Sequence, residues 1–208
     1  MQIGIVGLGR AARTGAATLF AAATLIAASP GTADVRTTTS TRAYMVGGTT
    51  ASSLVSYMRS NPFPGDYGNA VANIRPTYSL SVGTTTGKGG CSAGNVSLRI
   101  HFTMTLPKAR SSAGMSAGTR SAWNSFAAYA RSHEETHRRI YVGCANSFVA
   151  KARKVTAASC GAVQATVRRL LEAEKRSCEA KNRAYDRAER SRLAGMSLFR
   201  MASSRGKR

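Results

Sequence analysis

The clearest period in the chain is two. Between positions 96 and 106, Leu98, Ile100, Phe102, Met104 and Leu106 alternate with Ser97, Arg99, His101, Thr103 and Thr105, the signature of a strand with one buried face. Pro107 should stop it, because proline has no N–H to give to a ladder. Two further extended runs, from residue 35 to Gly48 and from 70 to 82, are rich in Thr, Tyr and Val. Thr50 is placed to cap a short helix that runs through Met58 and ends at Asn61-Pro62-Phe63-Pro64-Gly65. The Gly- and Ser-rich stretches 83–94 and 111–118 read as loops.

From about Thr119 the period changes. Trp123, Phe126, Ala130, His133, His137, Ile140, Cys144 and Phe148 recur every three or four residues, so one face of a long helix carries them all. Gly161 offers a turn, and residues 162–192 follow as a second helix whose cations and acids interleave on a solvated surface. This pattern predicts an α+β domain in which a small antiparallel sheet packs on the long helix and on an antiparallel C-terminal helix. The domain should span residues 34–192, β-rich to 118 and a helical hairpin over 119–192. Residues 193–208 hold four cations and no acid, and read as a flexible basic tail.

Four cysteines permit three pairings. Cys160 and Cys178 on one helix would lie about 27 Å apart, far beyond the roughly 7 Å that a disulfide spans between Cα atoms. A hairpin centred on Gly161 sets Cys144 level with Cys178, which leaves Cys91 for Cys160. Four reduced thiols or a cysteine-rich metal site is the alternative.

The 208 residues hold 30 Lys and Arg against 9 Asp and Glu, a formal charge of +21, yet 43% are hydrophobic, which argues against a disordered polycation. Residues 1–33 explain where such a chain works. Arg10 and Arg13 precede an uncharged, Ala-rich run over 14–28, and Pro30 and Gly31-Thr32-Ala33 follow, the form of a secretory signal peptide cleaved after Ala33. The run is too short for a transmembrane span, so a periplasmic or secreted mature chain without a membrane helix is expected. A Gly4-Ile5-Val6-Gly7-Leu8-Gly9 run imitates a dinucleotide fingerprint but lacks the βαβ context that gives the fingerprint meaning. The surplus of cations favours an acidic peptide or protein substrate, or an anionic envelope surface. A nucleic-acid partner is disfavoured by export and by the lack of any reading motif.

The candidate chemistry sits on the long helix as His133-Glu134-Glu135-Thr136-His137. Residues four apart on a helix point the same way, so the two imidazoles can share one Zn²⁺, with Glu134 beside them as general base. An ordinary solvated patch would not interrupt an apolar stripe running from Phe126 to Phe148, where unliganded imidazoles are costly to bury.

With Tyr44-Met45-Val46-Gly47, Cys91, Leu106-Pro107, Trp123, Phe126, Cys160 and the Tyr185-Asp186 pair in this order around the H-E-x-x-H, the chain resembles a family of bacterial secreted Zn-dependent proteases catalogued as a domain of unknown function. The resemblance runs to about residue 192 and implies a zincin-like fold, a zinc site and peptide hydrolysis. It also implies a third ligand, a histidine that follows the Tyr-Asp pair as Tyr-Asp-x-x-Thr-x-His. Here Glu189 and Ser191 stand at the Thr and His positions. A catalytic zinc wants three protein ligands. Glu189 is the first choice for the third, with Asp186 and His101 as alternatives. Two functions remain: a zinc metallopeptidase, or a non-catalytic basic envelope protein that binds anionic polymers or lipid headgroups and whose metal site is structural or vestigial.

Overall fold

Alternation over residues 96–106 proves to be the middle of a much longer strand. The computed structural model describes residues 34–65 and 68–204. The expected signal peptide, its cleavage after Ala33 and the glycine run at 4–9 lie outside them. The chain runs β1 (Val35–Val46), α1 (Ala51–Ser60), β2 (Phe63–Gly65), β3 (Gly68–Ala70), β4 (Asn73–Gly87), β5 (Gly90–Ala109), α2 (Ala117–Ala152), β6 (Thr156–Ala157), α3 (Cys160–Ala194) and α4 (Ser197–Ser204). The α+β class is as expected. Thr50 caps α1 by accepting from the Ser53 N–H, in a reciprocal capping box.

The sheet order is β1-β5-β4, with β6 pairing the start of β5. It is mixed, which corrects the expectation of an antiparallel sheet: β4 and β5 form an antiparallel hairpin, but β1 lies parallel to β5, with Thr37 level with Ile100. The intervening α1 and the β2-β3 ribbon carry the chain across from β1 to β4. Hydrophobic alternation states which face is buried and says nothing of strand direction.

Residues 83–94, read as a loop, are the paired arms of the β4-β5 hairpin, turning at Lys88 and Gly89. Threonines at 84–86 favour extended backbone, and ladder partners on β5 outweigh the glycines. Gly90 is required: it has φ +126°, and a Cβ there would meet the Ala157 carbonyl oxygen at 2.5 Å.

Pro107 does not end β5, which continues to Ala109 beside β1. The Leu98 and Arg110 N–H groups donate to Asp34 and Val46, so even-numbered residues of β5 point their N–H at β1. Pro107 is turned the other way, towards β4, whose ladder already starts at Asn73 opposite Thr105. Its missing donor costs no hydrogen bond.

Ile100, Phe102, Met104, Tyr141, Phe148, Val163 and Val167 fill the main core between the inner face of the sheet and the α2-α3 hairpin. Cys91–Cys160 and Cys144–Cys178 are both bridged, at Cα separations of 5.0 and 6.0 Å, as expected. The hairpin does not turn at Gly161, which lies in the first turn of α3. Residues 153–159 make the connection and dip into the sheet as β6.

A second core joins α1, the start of α2 and the C-terminus through Val46, Leu54, Met58, Trp123, Phe126 and Leu198. This overturns the flexible tail. Residues 197–204 are α4, whose Leu198 is fully buried and whose Phe199 ring meets Phe126 edge-on at 5.5 Å. The charge of residues 193–208 hides an apolar stripe of Leu198, Phe199 and Met201. Leu198→Ala should therefore cost about 3 kcal/mol, the middle of the range for a buried Leu. Urea unfolding of the purified chain checks this, and a loss under about 1 kcal/mol would mean that α4 does not stay docked.

Candidate metal centre

The α2-α3 hairpin builds the site. On α2, His133, Glu134 and His137 follow Phe126 and Ala130; Glu134 is 4% and His137 7% exposed. On α3, Cys178, Asn182 and Asp186 are spaced by four, so they form one row facing α2. The Cys144–Cys178 bridge pins this row to its neighbour. His137 then lies opposite Asn182, His133 opposite Asp186, and Tyr129 opposite Glu189.

Three donor atoms converge. His133 Nε2 and His137 Nε2 lie 3.0 Å apart, and Asp186 Oδ1 is 3.1 Å from the first and 2.9 Å from the second. Ligand atoms bound tetrahedrally at zinc distances stand about 3.3 Å apart, so the trio needs to spread by only a few tenths of an ångström. Asn182 Nδ2 donates to the Cys178 carbonyl, which turns its Oδ1 towards His137 Nδ1 at 2.8 Å. That hydrogen bond keeps a proton on Nδ1, so Nε2 is the nitrogen that would offer a lone pair to a metal once its own proton leaves. The Nδ1 of His133 is buried and has no hydrogen-bond partner, and its ring is held by stacking on Tyr185 at 4.8 Å. The residues present fit a metal ion, and the single His/His/Asp group found among the described residues is this one.

The electrostatics agree. Burial would raise the Asp186 carboxyl, but hydrogen bonds from His133 and His137, and the charge they carry, hold it well below the usual carboxylate range. Burial would lower the His137 imidazole, yet hydrogen bonds to Asp186 and Asn182 and the charges of Asp186 and Glu134 raise it above its ordinary value. The Asp186 carboxylate thus draws positive charge to the two imidazoles.

Glu189, the first choice for third ligand, is not with the imidazoles. It accepts from the Tyr129 hydroxyl at 3.2 Å and pairs with Arg192 at 3.4 Å, one helical turn along at the rim of the same cleft. Burial and the Glu189 carboxylate push the Tyr129 phenol far up, which keeps its proton in that bond. His101 lies on the outer face of the sheet, against Thr38 Oγ1 at 2.9 Å and Ser40 Oγ at 3.1 Å. The alternative, Asp186, is the residue brought to both histidines. Asn182 was missed, although its spacing of four from both Cys178 and Asp186 marks it as part of the same row.

The three donors open on a cleft of about 350 Å³, walled by the start of β4 (Asn73, Ile74), by Tyr129 and Tyr141, and by Glu134. Residues 41–193 match a family described as "Bacterial protein of unknown function (DUF922)". The chain belongs to this family. No curated protein and no solved structure matches it. In this DUF922 domain the matched region takes in β5, all of α2 and nearly all of α3, and so both walls of the metal centre.

Asn182→Leu keeps the side-chain volume and removes the acceptor that orients His137. Affinity for a divalent metal ion should fall about 10–100-fold, as for loss of other such partners. Competition with a chromophoric chelator measures it, and an unchanged affinity would show that Asn182 does not orient the ligand.

Proposed function

We propose that this chain is an exported zinc metallopeptidase in which His133, His137 and Asp186 hold the metal and Glu134 is the general base. The observation that carries the reading is the convergence of the two H-E-x-x-H imidazoles with Asp186 on a cleft that Glu134 also lines. Two imidazole nitrogens and one carboxylate oxygen are a catalytic zinc set, with a fourth position left for solvent or substrate. Bound there, zinc would polarise a scissile carbonyl and make the attacking water more acidic at neutral pH. Glu134 takes the proton of that water and passes it to the amide nitrogen that leaves. Tyr185 and Asn182 keep the imidazoles in place while this happens.

The substrate path follows β4. A second cleft between β4 and α3 lies at Tyr78, meets the first at Tyr141, and has Arg75, Lys175, Arg183 and Glu179 on its walls. That balance favours acidic side chains on the bound peptide. Two disulfides fit an oxidising compartment, and among the described residues no helix is long and apolar enough to cross a membrane. The test is incubation of the zinc-loaded mature chain with a proteome-derived peptide library read by mass spectrometry. New termini enriched for neighbouring Asp and Glu are expected, and no cleavage beyond that of a chelated sample would sink the reading.

A further inference from the structure

The face of the sheet turned away from the metal centre is covered by no helix along most of its length. Its side chains come from even-numbered residues 36–42 of β1 and odd-numbered residues 73–81 of β4 and 97–105 of β5, and none is apolar. Arg36, Arg42, Arg99 and His101 stand on it among hydroxyls such as Thr77, Ser79 and Thr103. No Asp or Glu occurs anywhere in β1, β4 or β5. Seven of the nine acids are instead on α2 and α3, where Glu135, Glu172, Glu174, Glu179 and Glu189 each meet a cation within 4.0 Å. Among the described residues, Arg36, Arg42 and Arg99 form no ion pair.

Two of these arginines are placed at a cost. Arg36 and Arg99 are level on adjacent strands, about 4.8 Å apart in the ladder direction, and like charges so opposed destabilise a sheet. An anionic ligand bridging the two guanidiniums removes that repulsion and receives two planar forks of donors. Arg42 lies six residues along β1 from Arg36, roughly 20 Å away, so the cations track a line and call for an extended ligand with repeated charge.

We infer that this outer face is a binding surface for an anionic polysaccharide, in particular one with a carboxylate on successive sugars. The hydroxyl rows match the many donors and acceptors of a sugar chain. A lipid surface is engaged through inserted aromatic or aliphatic side chains, and a single strand of nucleic acid through stacking on aromatic rings; this face has neither. The surface is independent of the metal centre and stands or falls apart from the peptidase reading.

The test is titration of the mature chain with polygalacturonate at low salt, beside phosphatidylglycerol vesicles and duplex DNA. Three triple variants accompany it: R36Q/R42Q/R99Q, the charge-keeping R36K/R42K/R99K, and a control on α3 with the same loss of charge, R169Q/R176Q/K181Q. Saturable binding of polygalacturonate by the parent is expected, weakened at least about tenfold in the glutamine sheet variant and less than about threefold in the other two. No binding by the parent, equal loss in the α3 control, equal loss in the lysine set, or tighter binding of vesicles or DNA would each overturn the proposal.

Discussion

Glu134→Gln is expected to lower kcat by about 10²–10⁴-fold, the range for removal of a general base, while zinc content stays near one per chain. The substitution keeps the shape of a side chain that is 4% exposed and removes its ability to accept a proton, so the helix and the three donors should be undisturbed. Activity and metal analysis on the same preparation check both halves. Retained hydrolysis with retained zinc would assign the base elsewhere. Loss of both would give Glu134 a part in holding the site rather than in the proton transfer.

Asp186→Ala should strip the site. Removing one of three ligands ought to weaken zinc by more than the roughly 10–100-fold that follows loss of an outer partner. Glu189→Ala, by contrast, breaks only the rim contacts to Tyr129 and Arg192 and should leave the metal in place. Metal analysis after dialysis of the two variants separates them. The reverse outcome, zinc lost with Glu189 and kept without Asp186, would return the third position to Glu189.

The choice between those two residues shows what was legible in the sequence. Both disulfides, the capped short helix, the buried alternation of the last long strand and the H-E-x-x-H helix follow from spacing alone, because each depends on contacts along one element or on a coarse hairpin. Which carboxylate meets the two histidines depends on the register of α3 against α2 to within a single turn. A hairpin folded symmetrically about Gly161 places residue 189 opposite His133, whereas the connection over residues 153–159 and the β6 contact place Asp186 there. Three residues are one turn of helix, and nothing in periodicity reports such a shift. The direction of β1 and the docking of α4 were hidden for a related reason: both are settled by long-range packing, of Thr37 beside Ile100 and of Leu198 against α1 and α2.

The parallel pairing of β1 also has a kinetic meaning. Thr37 meets Ile100 and Ala43 meets Leu106, so the first strand of the described chain finds its only sheet neighbour 63 residues later. The β4-β5 hairpin closes through local contacts, and the α2-α3 hairpin does so soon after, but β1 must wait as an unpaired, Thr-rich segment until β5 exists. Loop closure of that length is slow compared with hairpin formation, which puts completion of the sheet late in folding. A chain that crosses a membrane N-terminus first would thus keep its leading strand unpaired until residues 98–109 have followed it.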